Sequence, residues 1–153
     1  ASVVIQKDGT LYAFTQFFMP RGRLEYLQAT DGVPYDIFVK KGLITLSGEN
    51  YVDYHDVYGW FTMLLEDYGI RPLKIGYDRY SAQYLITDMA NYGFHMDDVY
   101  QGENLTPVIR EFEGIIKDGD FKIADNNLLK THFLNVALNV RATEILGRVR
   151  RAA

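Results

Sequence analysis

The sequence predicts an α/β domain on a mixed β-sheet, an antiparallel meander that passes into a β-α-β-α succession with helices on both faces. Three observations predict it. Asp8-Gly9 stands between two runs rich in β-branched and aromatic residues, a strong hairpin signal. Further along, stretches with apolar residues at helical spacing alternate with short apolar runs of strand length. Finally, glycines sit where such helices should stop, at Gly42, Gly69, Gly93 and Gly119.

The elements follow in order. Ser2 to Lys7 reads as the first strand and Leu11 to Met19 as its return, stopped by Pro20. Arg21 to Thr30 is polar and reads as a mobile loop or short helix. Pro34 suits the first turn of a short helix whose apolar side is Ile37 and Phe38, with Gly42 behind it. Leu43 to Leu46 is a third strand, ended by Ser47-Gly48-Glu49-Asn50. Asp53 is placed to cap a helix whose stripe is Val57, Tyr58, Trp60, Phe61, Leu64, Leu65 and Tyr68, with Trp60 in the core. Pro72 precedes a fourth strand, Leu73 to Tyr77, which delivers Asp78. Tyr80, Tyr84, Leu85, Met89 and Tyr92 mark the next helix, and Met96 to Tyr100 a fifth strand. Thr106-Pro107 opens a helix with Thr106 as cap and an apolar face of Val108, Ile109, Phe112, Ile115 and Ile116. After the extended piece Phe121-Lys122-Ile123, Asp125 or Asn126 caps a final helix carrying Leu128, Leu129, Phe133, Val136, Ala137 and Val140. No internal repeat, linker or low-complexity segment interrupts residues 1–153, so a single domain is expected.

Composition narrows the function classes. Hydrophobic residues make up 48% and charged residues 24%, ordinary for a globular chain, which argues against disorder. A net charge of −4 speaks against a broad basic face for nucleic acid, although a local patch needs only a few residues. The late basic residues Arg141, Arg148, Arg150 and Arg151 read either as phosphate contacts or as a solvated helix end. The sequence has no cysteine, so disulfides, thiolate catalysis and Cys-based zinc sites are excluded. His55, His95 and His132 are far apart, without the H-x-x-x-H spacing of a metal site. No apolar run approaches the ~18 residues that span a bilayer, and no signal peptide opens the chain. A soluble protein is expected. The start, Ala1-Ser2-Val3-Val4-Ile5, is already inside a strand pattern, as in a fragment of something longer.

Neither a phosphate loop of the G-x-x-x-x-G-K-[ST] type, nor G-x-G-x-x-G, nor a G-x-S-x-G nucleophile elbow occurs. What remains is carboxylate chemistry. Asp78 ends an apolar strand, where an α/β sheet opens into a crevice. Local spacing alone favours a simpler role, capping the helix that starts near Tyr80. A hard divalent cation such as Mg²⁺ or Mn²⁺ takes oxygen ligands and often only one or two protein carboxylates. Two such ions about 4 Å apart can stabilise both the attacking and the leaving oxygen of a phosphodiester. Asp78 suits one slot of such a site.

Six stretches stand out in order: Val33-Pro34-Tyr35-Asp36-Ile37-Phe38, Lys41-Gly42-Leu43-Ile44-Thr45-Leu46, Val52-Asp53-Tyr54, Gly76-Tyr77-Asp78-Arg79-Tyr80-Ser81-Ala82-Gln83, Gln101-Gly102 and Asn126-Asn127-Leu128-Leu129. Together they resemble the C-terminal nuclease domain of tailed-phage terminase large subunits. The resemblance runs in order from about Pro34 to Val140. It implies an RNase H-like fold and a metal-dependent endonuclease, using Mg²⁺ or Mn²⁺ in a two-metal site, that cuts concatemeric double-stranded DNA during packaging. It further implies an N-terminal ATPase domain elsewhere in the parent, a terminase small subunit and a portal protein as partners, no membrane, and the cytoplasm of an infected or lysogenic bacterial host.

The family's fourth-strand acid maps onto Asp78, making it the catalytic and metal-binding candidate and reversing the preference for a plain cap. The family's first acid would lie before Ala1, since Asp8 belongs to the hairpin turn. Its third acid, in a D-G pattern beyond the last helix, has no counterpart here; Glu144 lacks the motif. One of three ligands is therefore expected in this chain, which should be inactive alone. Arg79, Lys130 and His132 are weaker DNA-contact candidates, against the blander readings of solvated cations and a partly buried structural imidazole. The rival from another class is a non-catalytic protein- or DNA-docking module. A hydrolase or phosphatase would need a nucleophile near Asp78, and none is evident.

Overall fold

The computed structural model describes residues 1–78, 80, 83–100, 102, 104–136, 139–141 and 144–146, the last two stretches by backbone alone. The strands are β1 (Ser2–Lys7), β2 (Thr10–Thr15), β3 (Phe17–Met19), β4 (Ile44–Leu46), β5 (Ile75–Asp78), β6 (Met96–Val99), β7 (Phe121–Ile123), β8 (Asn139–Arg141) and β9 (Glu144–Leu146). The helices are α1 (Leu24–Asp31), α2 (Tyr35–Lys40), α3 (Tyr54–Glu66), α4 (Gln83–Tyr92), α5 (Leu105–Asp118) and α6 (Asn127–Leu134), with a 3-10 turn at Arg21–Arg23. The chain is mixed α/β with small sheets, in orders β1-β2-β7, β3-β4, β5-β6 and β8-β9. It divides into two compact units, one of Ala1 with Thr15–Asp98 and one of Ser2–Phe14 with Val99–Ala153.

In the first unit, β3 and β4 run parallel, Phe17 opposite Ile44 and Met19 opposite Leu46. Gln16 explains why the expected single strand Leu11–Met19 is divided. Its backbone exchanges bonds with Ala1, at 2.9 Å from N to O and 3.0 Å in return. Its side-chain amide meanwhile donates to Gly42 O and Thr45 Oγ1 at 3.1 and 3.0 Å. Of the two readings of Arg21 to Thr30, loop or short helix, the structure has mostly helix: α1 begins at Leu24 and stops at Gly32, whose φ of 66° a side chain would resist. α3 packs on α4, and the core comprises Ile44, Phe61, Leu64, Met89 and Phe94, with Met89 only 1% exposed. Phe94 stacks on Tyr92 with centroids 5.3 Å apart and meets Phe61 at 6.2 Å. Full burial of a side chain the size of Met89 contributes about 2 kcal/mol. Trp60 is half-buried, edge-on to Phe61 at 5.0 Å.

The second unit starts from the hairpin. Asp8 and Gly9 have φ of 51° and 84°, the twist of a two-residue turn with both residues left-handed. β7 adds to β2 in parallel, Leu11 opposite Phe121 and Ala13 opposite Ile123. Val3, Ala13 and Leu128 are buried, and Phe112, Phe121 and Phe133 form an aromatic cluster with centroids 4.8 to 6.3 Å apart. Asn126 caps α6 by accepting from Leu129 N at 2.9 Å. Thr106 is the second residue of α5 rather than its cap.

The final helix stops earlier than expected. Leu134 ends α6, and Val140 lies in β8, which pairs antiparallel with β9. The spacing of Phe133, Val136, Ala137 and Val140 suits a helix, yet Asn135 and Asn139 and the β-branched valines favour breaking it. Ala137 lies outside the described residues.

Candidate active site

Asp78 ends β5, a strand on which half-buried Ile75 and Tyr77 alternate with exposed Gly76 and Asp78. The alternation is that of a strand with one covered face, and it puts the carboxylate on the open one. Strand β5 is fixed against β6, where Ile75 N donates to His95 O at 2.8 Å. Beside that bond, Lys74 Nζ donates to Asp97 Oδ2 at 2.9 Å, and this bond and the ammonium charge hold the Asp97 carboxyl below its usual range.

At the strand end, Tyr80 N donates to Asp78 Oδ1 at 3.0 Å. An aspartate side chain accepting from the amide two residues on is the bond of an Asx-type turn. The bond is a local turn bond at the strand end, and α4 begins only at Gln83. Asp78 remains exposed to solvent.

Ser47, fully buried, organises the start of α3. Its Oγ accepts from Asp53 N at 2.9 Å and donates to Asp53 O at 3.2 Å. Asp53 Oδ1 in turn accepts from His55 N and lies 2.9 Å from His55 Nδ1. The backbone bond and then the imidazole bond hold the Asp53 carboxyl below its ordinary range. Asp53 is thus the cap that the sequence indicates, and His55 engages it through both backbone and ring.

Asp78 belongs to the first unit, and Lys130 and His132, both exposed on α6, belong to the second. His132 is exposed instead of partly buried. Arg79 lies outside the described residues. Among the described residues, no group of three or more His, Asp or Glu side chains is arranged to hold a metal ion. Asp78 thus stands among the described residues as an exposed carboxylate outside any such group.

A family model described as the terminase large subunit, endonuclease domain, matches residues 1–151. The chain belongs to that family. Terminase large subunits serve phage DNA packaging, and this terminase domain also has a likeness among solved structures. The large terminase of bacteriophage HK97 superposes with a TM-score of 0.80 at 22% identity, over 97% of this chain and 33% of that one. At that identity the likeness speaks to fold alone, and the terminase domain spans about a third of the HK97 chain. A search of curated protein sequences gave no significant match.

Proposed function

We propose that this chain is a single RNase H-like nuclease domain of a larger ATPase-nuclease subunit. In that subunit it cuts concatemeric double-stranded phage DNA with Mg²⁺ or Mn²⁺ at a two-metal site. The observation that carries the reading is an exposed carboxylate, Asp78, at the end of a strand in a chain of the terminase endonuclease family. Asp78 is the residue that would hold metal. Divalent ions supply charge neutralisation at the scissile phosphate when bound. Asp78 binds, and the Tyr80 amide orients it by a bond to Oδ1. No set of three such acids is assembled among the described residues, and we read the chain by itself as inactive. Arg79, Lys130 and His132 contact the DNA backbone. The small subunit and portal are the partners, and the host cytoplasm is the site of action. Among the described residues no helix is long and apolar enough to cross a membrane.

The test is Asp78→Ala in the full-length subunit. Cleavage of plasmid DNA in Mg²⁺ should disappear while ATP hydrolysis continues. Normal cleavage by the variant would remove Asp78 from the site.

The second reading, a non-catalytic docking module, draws on the exposed aromatics Tyr51, Tyr80 and Tyr84, at 84%, 94% and 87% exposure. It predicts that Asp78→Ala leaves both cleavage and ATP hydrolysis unchanged.

A further inference from the structure

The parallel pair β3-β4 sends out two loops at its carboxyl ends, the side of an α/β sheet where ligands are met. One is Pro20-Arg21-Gly22-Arg23 after β3. The other is Ser47-Gly48-Glu49 after β4. They are bonded to each other along the backbone: Ser47 N donates to Met19 O at 2.9 Å, Arg21 N to Gly48 O at 3.1 Å, and Gly22 N to Glu49 O at 3.0 Å. The approach is so close that a Cβ on Gly22 would stand 3.1 Å from both Glu49 O and Glu49 Oε1. A side chain on Gly48 would meet the Tyr51 carbonyl, and its φ of 60° also favours glycine. The 3-10 turn is thus held by a second loop, and Gly22 is the residue type that lets the two lie together.

This held turn carries Arg21 and Arg23, both exposed. Neither has an acidic partner within ion-pair distance among the described residues, although Glu49 lies against the glycine between them. The turn carries two positive charges against that one carboxylate. In a chain of net charge −4, two such guanidinium groups on a fixed turn are a local exception. Guanidinium presents a planar fork of donors that matches phosphate oxygens, and it remains charged at any physiological pH. Holding the backbone in advance reduces the ordering that binding requires.

We propose that Arg21 and Arg23 form a contact for consecutive phosphates of duplex DNA, in the same unit as Asp78. The proposal rests on the DNA-cleaving reading and adds to it the residues that grip the backbone. Phosphate contacts fix the position of the duplex and carry no base information. The grip is therefore indifferent to sequence and sensitive to salt. Gly22 and the β4 loop position the two arginines and do not touch DNA.

The test is binding of the full-length subunit to a fluorescent duplex of fixed length, in EDTA so that nothing is cut, across a series of salt concentrations. Removing one phosphate-binding charge lowers the slope of log K against log salt by about 0.9. Arg21→Ala with Arg23→Ala should lower it by about 1.8, equally for duplexes of different sequence. Single variants should lower it by about half as much. Gly22→Val, which crowds the Glu49 loop but keeps both charges, should weaken binding without this change of slope. A wild-type subunit that binds with a steep slope, beside a double variant with the same slope, would overturn the proposal while leaving the nuclease reading intact. A wild-type subunit that neither binds the duplex nor cuts DNA in Mg²⁺ would overturn the reading on which the proposal rests. Circular dichroism of the double variant matching wild type assigns any decrease in slope to the missing charges; a collapsed spectrum attributes it to misfolding and counts against the proposal.

Discussion

Ser47→Ala removes one oxygen from a fully buried position and takes away the partner of the Asp53 amide, while the Asp53 carbonyl still accepts from Asp56 N at 3.1 Å. The Ser47 hydroxyl accepts from Asp53 N at 2.9 Å and donates to Asp53 O at 3.2 Å. An intramolecular hydrogen bond contributes about 1 kcal/mol net, and leaving a buried partner unsatisfied costs about 1–3 kcal/mol. Two bonds of ordinary length, one of them near the weak limit, put the loss at about 2 kcal/mol. The void left by one oxygen is too small to add much. For a chain of this size each kcal/mol lowers the midpoint by roughly 2–4 °C, so about 4–8 °C is expected. Thermal unfolding followed by circular dichroism at neutral pH measures it directly. The loss should come with weaker protection of the first-turn amides of α3 in hydrogen exchange, because Asp53 is the residue that caps that helix. A midpoint within about 1 °C of wild type would refute the reasoning, as it would mean that solvent reaches the Asp53 amide unaided and that Asp56 N alone satisfies the carbonyl.

Three further outcomes follow from the same structure. Met89→Ala, at a side chain 1% exposed, should cost about 2–5 kcal/mol in urea unfolding, and a loss below about 1 kcal/mol would contradict its place in the core. Because the folded Asp53 carboxyl titrates below its ordinary range, its contribution is fully present above about pH 4 and is lost as pH falls through the depressed value. The stability gap between wild type and Asp53→Asn should therefore narrow from about pH 6 to about pH 2, and a gap that widens in acid would reverse the assignment. On the proposed reading the chain by itself should not nick supercoiled plasmid in Mg²⁺ or Mn²⁺, since among the described residues no group of three or more His, Asp or Glu side chains is placed to hold a metal ion; cutting that Asp78→Ala abolishes would show the set to be complete.

Much of the architecture is legible in the sequence because strong local chemistry agrees with the fold. The Asp8-Gly9 turn, the Asp53 cap and the left-handed glycines Gly42, Gly69, Gly93 and Gly119 occur where turn and capping preferences put them. The division of the return strand at Gln16 is not legible. It depends on Gln16 meeting Ala1, Gly42 and Thr45, partners distant in sequence. Helix α1 is hard to tell from a loop because its apolar periodicity is weak and none of its residues is buried. The last helix reads too long because valine and leucine at helical spacing also suit strands.

At the site, the strand that ends in Asp78 is legible in the sequence, and the side chain is exposed with a bond from the Tyr80 amide. Arg21 and Arg23 fall in a stretch that reads only as polar. The signal lies in the pattern Arg-Gly-Arg after a strand-ending proline. The loop that holds it, Ser47-Gly48-Glu49, is far away in sequence, so the fixed geometry emerges only with the fold.

The central claim is that Asp78 is a working acid and more than a turn former. Asp78→Asn in the full-length subunit tests it most directly, because the amide oxygen can still accept from Tyr80 N while the negative charge is gone. Plasmid cleavage in Mg²⁺ is measured beside ATP hydrolysis and the thermal midpoint. The account predicts cleavage reduced by about a thousandfold, as removal of several kcal/mol of charge stabilisation implies, with ATP hydrolysis and midpoint unchanged. Cleavage at the wild-type rate with the midpoint unchanged would contradict it.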